Sequence, residues 1–237
     1  MNAGKPIRGL AIALSGVALA VPSTAVAGNG GTPAPAPGAA GPVDPSFSLS
    51  ARHAVFLGRT LVISGSEPTA ADKTVNIEAR QGSDPWLQVA TVAADGNGNF
   101  TGSWRPSSYG EFQIRGVVAN TAQASEASSS SAPRTVVVYK AARATWYGPG
   151  FYGKKTACRQ RLTRRLIGVA NRRLPCGTQV EITYRGHRLV APVVDRGPFA
   201  HHAQWDLTAA AAKRLGMTVT SRIGAAPLDL SLQPPVL

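Results

Sequence analysis

The apolar and polar positions of this chain fall into short, strand-like periods. Thr60–Ser64 is mostly apolar, and Val75, Ile77 and Ala79 alternate with Thr74, Asn76 and Glu78. Period-two alternation is the mark of a strand with one buried face. Trp86–Val92 forms a further run, Asp95-Gly96-Asn97-Gly98 interrupts it with turn residues, and Phe100–Trp104 resumes the alternation. That order predicts a hairpin. Phe112, Ile114, Gly116 and Val118 then share one face, and Val136–Tyr139 closes the series. About seven short strands with frequent turns predict a β-sandwich over residues 47–140, with Trp86 as its central core aromatic. Asp95, Asn97 and Asn99 have the opening spacing of a calcium loop, but no Glu closes it, so the segment is read as a turn. Asn120–Pro133 is rich in Ser and Ala and is read as a loop before the last strand.

The pattern changes after Arg143. Ala144–Gly148 reads as a strand ending in aromatics, Leu166–Ala170 as a short apolar strand, and Gln179–Tyr184 and His187–Val194 as a hairpin about Gly186. One helix is expected, Thr208–Leu215, with Lys213 and Arg214 in its last turn and Gly216 as its C-terminal stop. Val219–Leu230 supplies one or two closing strands. About six strands and one short helix suit a small closed barrel over residues 141–232. The fold class is therefore mainly all-β: a sandwich, then a barrel.

Composition adds compartment and charge. Lys5 and Arg8 precede an apolar run, Leu10–Val21, and Ala25-Val26-Ala27 offers a signal-peptidase site. Residues 1–27 are read as a signal peptide, its apolar run being shorter than the ~20 residues of a membrane span. Residues 28–46, rich in Gly, Pro and Ala, are read as a disordered spacer. After cleavage no further membrane span is expected, so the mature chain is expected to be secreted. Two Cys, Cys158 and Cys176, in an exported chain favour a disulfide, for which chain-entropy models give ~3 kcal/mol. The net charge is +13, and residues 141–237 carry fifteen Lys and Arg against four acids, while residues 28–140 carry eight of each. A basic half attracts polyanions. Given export, anionic cell-wall polymers fit better than nucleic acid. Nothing in the sequence calls for a cofactor. His201 and His202 lack an evident third ligand, so no metal site is expected.

The candidate chemistry lies in Leu189–Leu207. Asp195 ends an apolar run and precedes the turn Arg196-Gly197-Pro198; Asp206 lies between Trp205 and Leu207, before the helix. Two acids at the edges of regular elements suggest a sugar-facing groove, or simply a turn cap and a helix cap. Proximity to the helix N-terminus is expected to favour the charged form of Asp206. Trp146, Tyr147, Tyr152, Phe199 and Trp205 suit stacking on sugar rings; Trp146 and Trp205 equally suit the barrel core.

Four motifs carry a family likeness: A-T-W-Y-G-P-G-F-Y-G with T-A-C, L-P-C-G-T, V-x-D-R-G-P-F, and W-D-L-T-A-A-A-A with L-G-M. Together they resemble the rare lipoprotein A family, whose members carry a double-psi β-barrel, a fold shared with expansins and barwin-like proteins. The resemblance implies a peptidoglycan partner and, in some relatives, lytic transglycosylase activity. It implies Asp195 as general acid and base, with Asp206 as a second acid. It also implies that Thr156, Gln160, Asn171 and Arg196 contact substrate, and that Cys158 meets Cys176. Two positions depart from active relatives: Gln160 stands where a Glu is often found, and Asn171 where a His is often found. Neither can shuttle a proton. A non-catalytic, expansin-like wall-binding module is the alternative. More loosely, the Trp86 strand, the D-G-x-G-x-F turn and the G-E-F-x-I-R run resemble bacterial immunoglobulin-like modules.

Overall fold

A computed structural model describes residues 42–119, 129–199 and 202–229. The signal-peptide and most of the spacer positions, most of the Ser/Ala-rich loop, and His201 lie outside the described residues. These described residues form thirteen strands and one α-helix.

The first region packs two sheets face to face. One sheet holds β1 (Ser48–Ala51), β3 (Leu61–Ser66) and β6 (Asn99–Trp104). The other holds β2 (Ala54–Phe56), β4 (Thr74–Arg80), β5 (Leu87–Ala93), β7 (Gly110–Val118) and the first half of β8 (Arg134–Tyr147). Alternation does its expected work here. Val75, Ile77 and Ala79 of β4 point inward, and so do Phe100 and Trp104 of β6. Trp104 and Phe112 meet edge-on across the sheets, with ring centroids 5.1 Å apart. The Asp95 turn behaves as read: Asp95 Oδ1 accepts the N–H groups of Asn97 and Asn99. Trp86 departs from its expected place. It is buried, but between the guanidinium groups of Arg80 and Arg115, 4.5 and 4.2 Å from its centroid. Both arginines alternate with inward residues, so Trp86 covers the outer face of the sheet and not its core.

β8 continues without a break into the second region. There it joins β9 (Val169–Ala170), β10 (Gln179–Tyr184), β11 (His187–Asp195), β12 (Trp205–Thr208) and β13 (Ser221–Pro227). The order β12-β9-β11-β10-β13-β8 closes because β12 also pairs with β8, giving a six-stranded barrel. Its core holds Val169, Val180, Ile182, Val193, Trp205, Leu207 and Ile223, with Leu215 and Met217 packed beneath. Helix α1 (Ala209–Leu215) begins at Thr208, whose Oγ1 accepts the N–H groups of Ala211 and Gly168. It ends at Gly216, in the left-handed conformation that favours Gly there.

The two regions share more than β8. Val137, Tyr139 and Ala226 form a small apolar cluster between them. Glu181 of β10 accepts from the Tyr139 hydroxyl and lies 3.0 Å from His53 Nε2. Among the described residues no helix is long and apolar enough to cross a membrane.

Candidate active site

Strand β9 is only two residues long, yet it sets the site. Asp195 of β11 is in register with Ala170 on one side, and Asp206 of β12 with the same Ala170 on the other. The two acids therefore stand in one row with a single strand between them. Adjacent strands lie ~4.8 Å apart, so their Cα atoms are about 10 Å apart.

Both acids line one cleft of about 330 Å3, together with Thr145, Tyr147, Thr156, Arg196, Gly197, Pro198 and Phe199. Phe151, Lys154, Lys155, Leu162 and Ala170 complete its wall. Each acid is held differently. Asp195 Oδ1 accepts two backbone N–H groups, from Ala157 at 2.8 Å and from Arg196 at 2.9 Å. The turn-capping role is thus real, and it coexists with a place on the cleft. Asp206 Oδ1 accepts only the Thr145 hydroxyl, at 2.8 Å.

Burial raises the pKa of Asp206 above the ordinary 3.8; the Thr145 hydrogen bond opposes this and the Asp195 charge adds to it. This reverses the expectation drawn from the helix. Asp206 lies in β12, and Thr208, two residues on, is the side chain that caps the helix. The first-turn N–H groups are therefore served by a hydroxyl, and desolvation decides the acid.

Two further hydroxyls belong to residues that line this space. The Tyr147 hydroxyl and Thr156 Oγ1 are buried; Thr156 Oγ1 has no hydrogen-bond partner among the described residues, and the Tyr147 hydroxyl interacts with the Asp195 carboxylate without closing a regular hydrogen bond to it. Burial raises the Tyr147 pKa first; the Asp195 charge and hydrogen bonding to Asp195 raise it further, and the Asp206 charge adds least. A buried, unpaired hydroxyl costs free energy unless a ligand meets it. The disulfide Cys158–Cys176 is formed and fixes the loop carrying Ala157. Arg196 lines the cleft, but its guanidinium also donates to the carbonyls of Asn171 and Asp195.

The other candidates scatter. Trp205 is core, 6% exposed. Trp146 is at the surface, donating its indole N–H to the Thr218 carbonyl, and does not line the cleft. Tyr152 packs against Gly148 and lies 5.6 Å from the Arg164 guanidinium, also outside the cleft lining. Gln160 is exposed and contributes only its carbonyl, to the Thr156 N–H. Asn171 Oδ1 is spent on the N–H groups of Arg173 and Leu174. Phe199 stands at the rim, 82% exposed. Thr145 was missed by sequence reasoning; its pairing with Asp206 follows only from the parallel register of β8 and β12. Among the described residues no three His, Cys, Asp or Glu side chains group as a metal site.

Comparison with known proteins bears on the same residues. Residues 139–230 match the family model described as "Lytic transglycolase". A Synechocystis sp. protein named "Probable endolytic peptidoglycan transglycosylase RlpA" is 36% identical over 110 residues, 46% of this chain and 34% of that protein. Its Aquifex aeolicus namesake is 43% identical over 76 residues, 31% of this chain and 34% of that protein. The Campylobacter jejuni "Endolytic peptidoglycan transglycosylase RlpA" is 34% identical over 91 residues, 38% of this chain and 32% of that protein. The chain thus spans about a third of the length of these curated relatives. The matched residues span the closed six-stranded barrel, and it is in this C-terminal region that the chain is similar to those proteins.

Proposed function

We propose that this is an exported cell-wall protein whose barrel binds peptidoglycan glycan strands in the cleft and cleaves them as a lytic transglycosylase. The observation that carries the reading is the pair of acids flanking Ala170, one of them shifted toward its protonated form by burial. The family match and the relatives' names support the substrate class. In this reading the sandwich is an immunoglobulin-like module that spaces or seats the barrel on the wall.

The chemistry needs one proton carried out and one carried back. Asp206 donates its proton to the glycosidic oxygen as the bond from that oxygen to the anomeric carbon breaks. The 6-hydroxyl oxygen of the same sugar bonds to the anomeric carbon and gives its proton to the Asp206 carboxylate. The product is a 1,6-anhydro sugar, and no water is consumed. Asp195, held as an acceptor by two N–H groups, faces the positive charge that develops on the ring. The sequence pointed to Asp195 as the acid and base; burial favours Asp206 for the proton-carrying role. Tyr147 and Thr156 offer hydroxyls to the sugar.

The test is digestion of purified peptidoglycan with the full chain, read by mass spectrometry. Products ending in 1,6-anhydro sugars are expected, and they should vanish in Asp206→Asn. Hydrolysed reducing ends, or no cleavage, would overturn the enzymatic reading. A second reading, a non-catalytic wall-binding module, draws on Gln160 lying outside the cleft and Asn171 being spent on its own turn. It predicts binding to insoluble wall without any new ends.

A further inference from the structure

A second surface lies away from the cleft, where the two regions meet. Phe56 at the end of β2 is 41% exposed. Its ring lies across Gly224 of β13; a Cβ there would come within 2.9 Å of two ring carbons. Phe56 thus reaches from the sandwich onto the barrel and keeps an open face. On one side it borders a hollow of about 440 Å3 that also holds Arg52 and Arg59. On the other it borders a hollow of about 320 Å3 that also holds Arg185 and Arg222. All four arginines are exposed, and none makes an ion pair among the described residues. No Asp or Glu lines either hollow.

Four guanidinium groups without a facing carboxylate, that of Arg185 lying 5.3 Å from the Tyr184 ring centroid, border a shared aromatic face and form a recognisable chemistry. Arg grips carboxylates through paired N–H donors, and an aromatic face packs on a sugar ring. Like charges brought together without counter-charges repel, so the arrangement favours an anionic occupant. We propose that this junction surface is a second binding site for a carboxylate-bearing glycan, a stretch of peptidoglycan outside the one in the cleft. The inference rests on the peptidoglycan reading of the barrel for its choice of polymer. It adds a grip contributed jointly by sandwich and barrel, so that the shared surface, and not only the cleft, holds the wall.

The experiment uses the full chain in an Asp206→Asn background, which leaves the polymer uncut. Three soluble probes are titrated: peptidoglycan strands carrying stem peptides, neutral chitin oligomers of similar length, and polyglycerol phosphate. Arg185→Gln with Arg222→Gln, and separately Arg52→Gln with Arg59→Gln, should each weaken binding to the peptidoglycan strands about tenfold. Binding to chitin oligomers should not change, and added salt should shrink the difference between parent and variant. Equal loss on the neutral probe, or no loss on the charged one, overturns the site. Tighter, arginine-dependent binding of polyglycerol phosphate overturns the choice of carboxylate. In an Asp206 background both Arg pairs should still form 1,6-anhydro products from short strands. If that background forms none, the cleft reading fails while the binding result stands on its own.

Discussion

Two acids of the barrel sit in opposite surroundings. At the junction with the sandwich, Glu181 is 6% exposed and well supplied with partners: the Tyr139 hydroxyl, His53 Nε2 at 3.0 Å, and Arg188 at 4.0 Å. At the cleft, Asp206 is more open, yet accepts a single hydrogen bond, from Thr145. The first acid is spent on structure. Its burial is answered by donors, and its charge raises the Tyr139 pKa after burial has already done so. The second has spare capacity beside the buried hydroxyls of Tyr147 and Thr156. Burial alone therefore does not mark a reactive acid; what sets Asp206 apart is burial with a single donor in the wall of a cleft.

The sharpest way to break this contrast is to remove each acid. Asp206→Asn should lower cleavage by about 10²–10⁴-fold, measured as 1,6-anhydro ends released per hour. It should not destabilise the fold. Below pH 3.8 this acid is protonated in both folded and unfolded chains. As pH rises above that value the unfolded chain ionises first, and the folded wild type loses stability relative to Asp206→Asn. Denaturant titrations of the two proteins from pH 3 to pH 7 should therefore diverge in favour of the variant, as an order-of-magnitude window.

Cutting the disulfide tests how far the cleft depends on its frame. Cys158→Ser with Cys176→Ser should cost about 3 kcal/mol in urea unfolding, and should reduce cleavage by loosening the Ala157 N–H from Asp195. Glu181→Gln tests the junction. It should cost about 2 kcal/mol, because hydrogen bonds to a charged group are lost in a buried place, while cleavage per folded molecule stays unchanged. Tyr147→Phe is the smallest change. Removing a hydroxyl that closes no regular hydrogen bond should leave stability within about 0.5 kcal/mol and raise KM for glycan strands with little change in kcat.

The same contrast explains what could be read from the chain. Most strands of both regions follow from alternation and turn residues, and β10 has its expected bounds; β1 and β2 carry no such signal, and the strand expected over Leu166–Ala170 is only Val169–Ala170. The helix stop at Gly216 was equally plain. Alternation does not say which aromatic covers an outer face, so Trp86 was assigned to the core, although Arg80 and Arg115 hold it outside. The acids of the site were visible as residues, but not their environments. A two-residue strand, Val169–Ala170, slips between β11 and β12 and sets their spacing. Nothing in its composition announces that position. Tyr152, Gln160 and Asn171 lie in long irregular loops, whose paths no periodicity records.

The central claim is that Asp206, with one donor and the Asp195 charge nearby, gives up its proton less readily than an ordinary aspartate. Carbon-13 NMR titration of the side-chain carboxyl groups tests this directly. Asp206 should titrate above 3.8 in the wild type and move down in Asp195→Asn, where the neighbouring charge is gone. An Asp206 that titrates at or below 3.8, or does not respond to the loss of Asp195, would contradict the account.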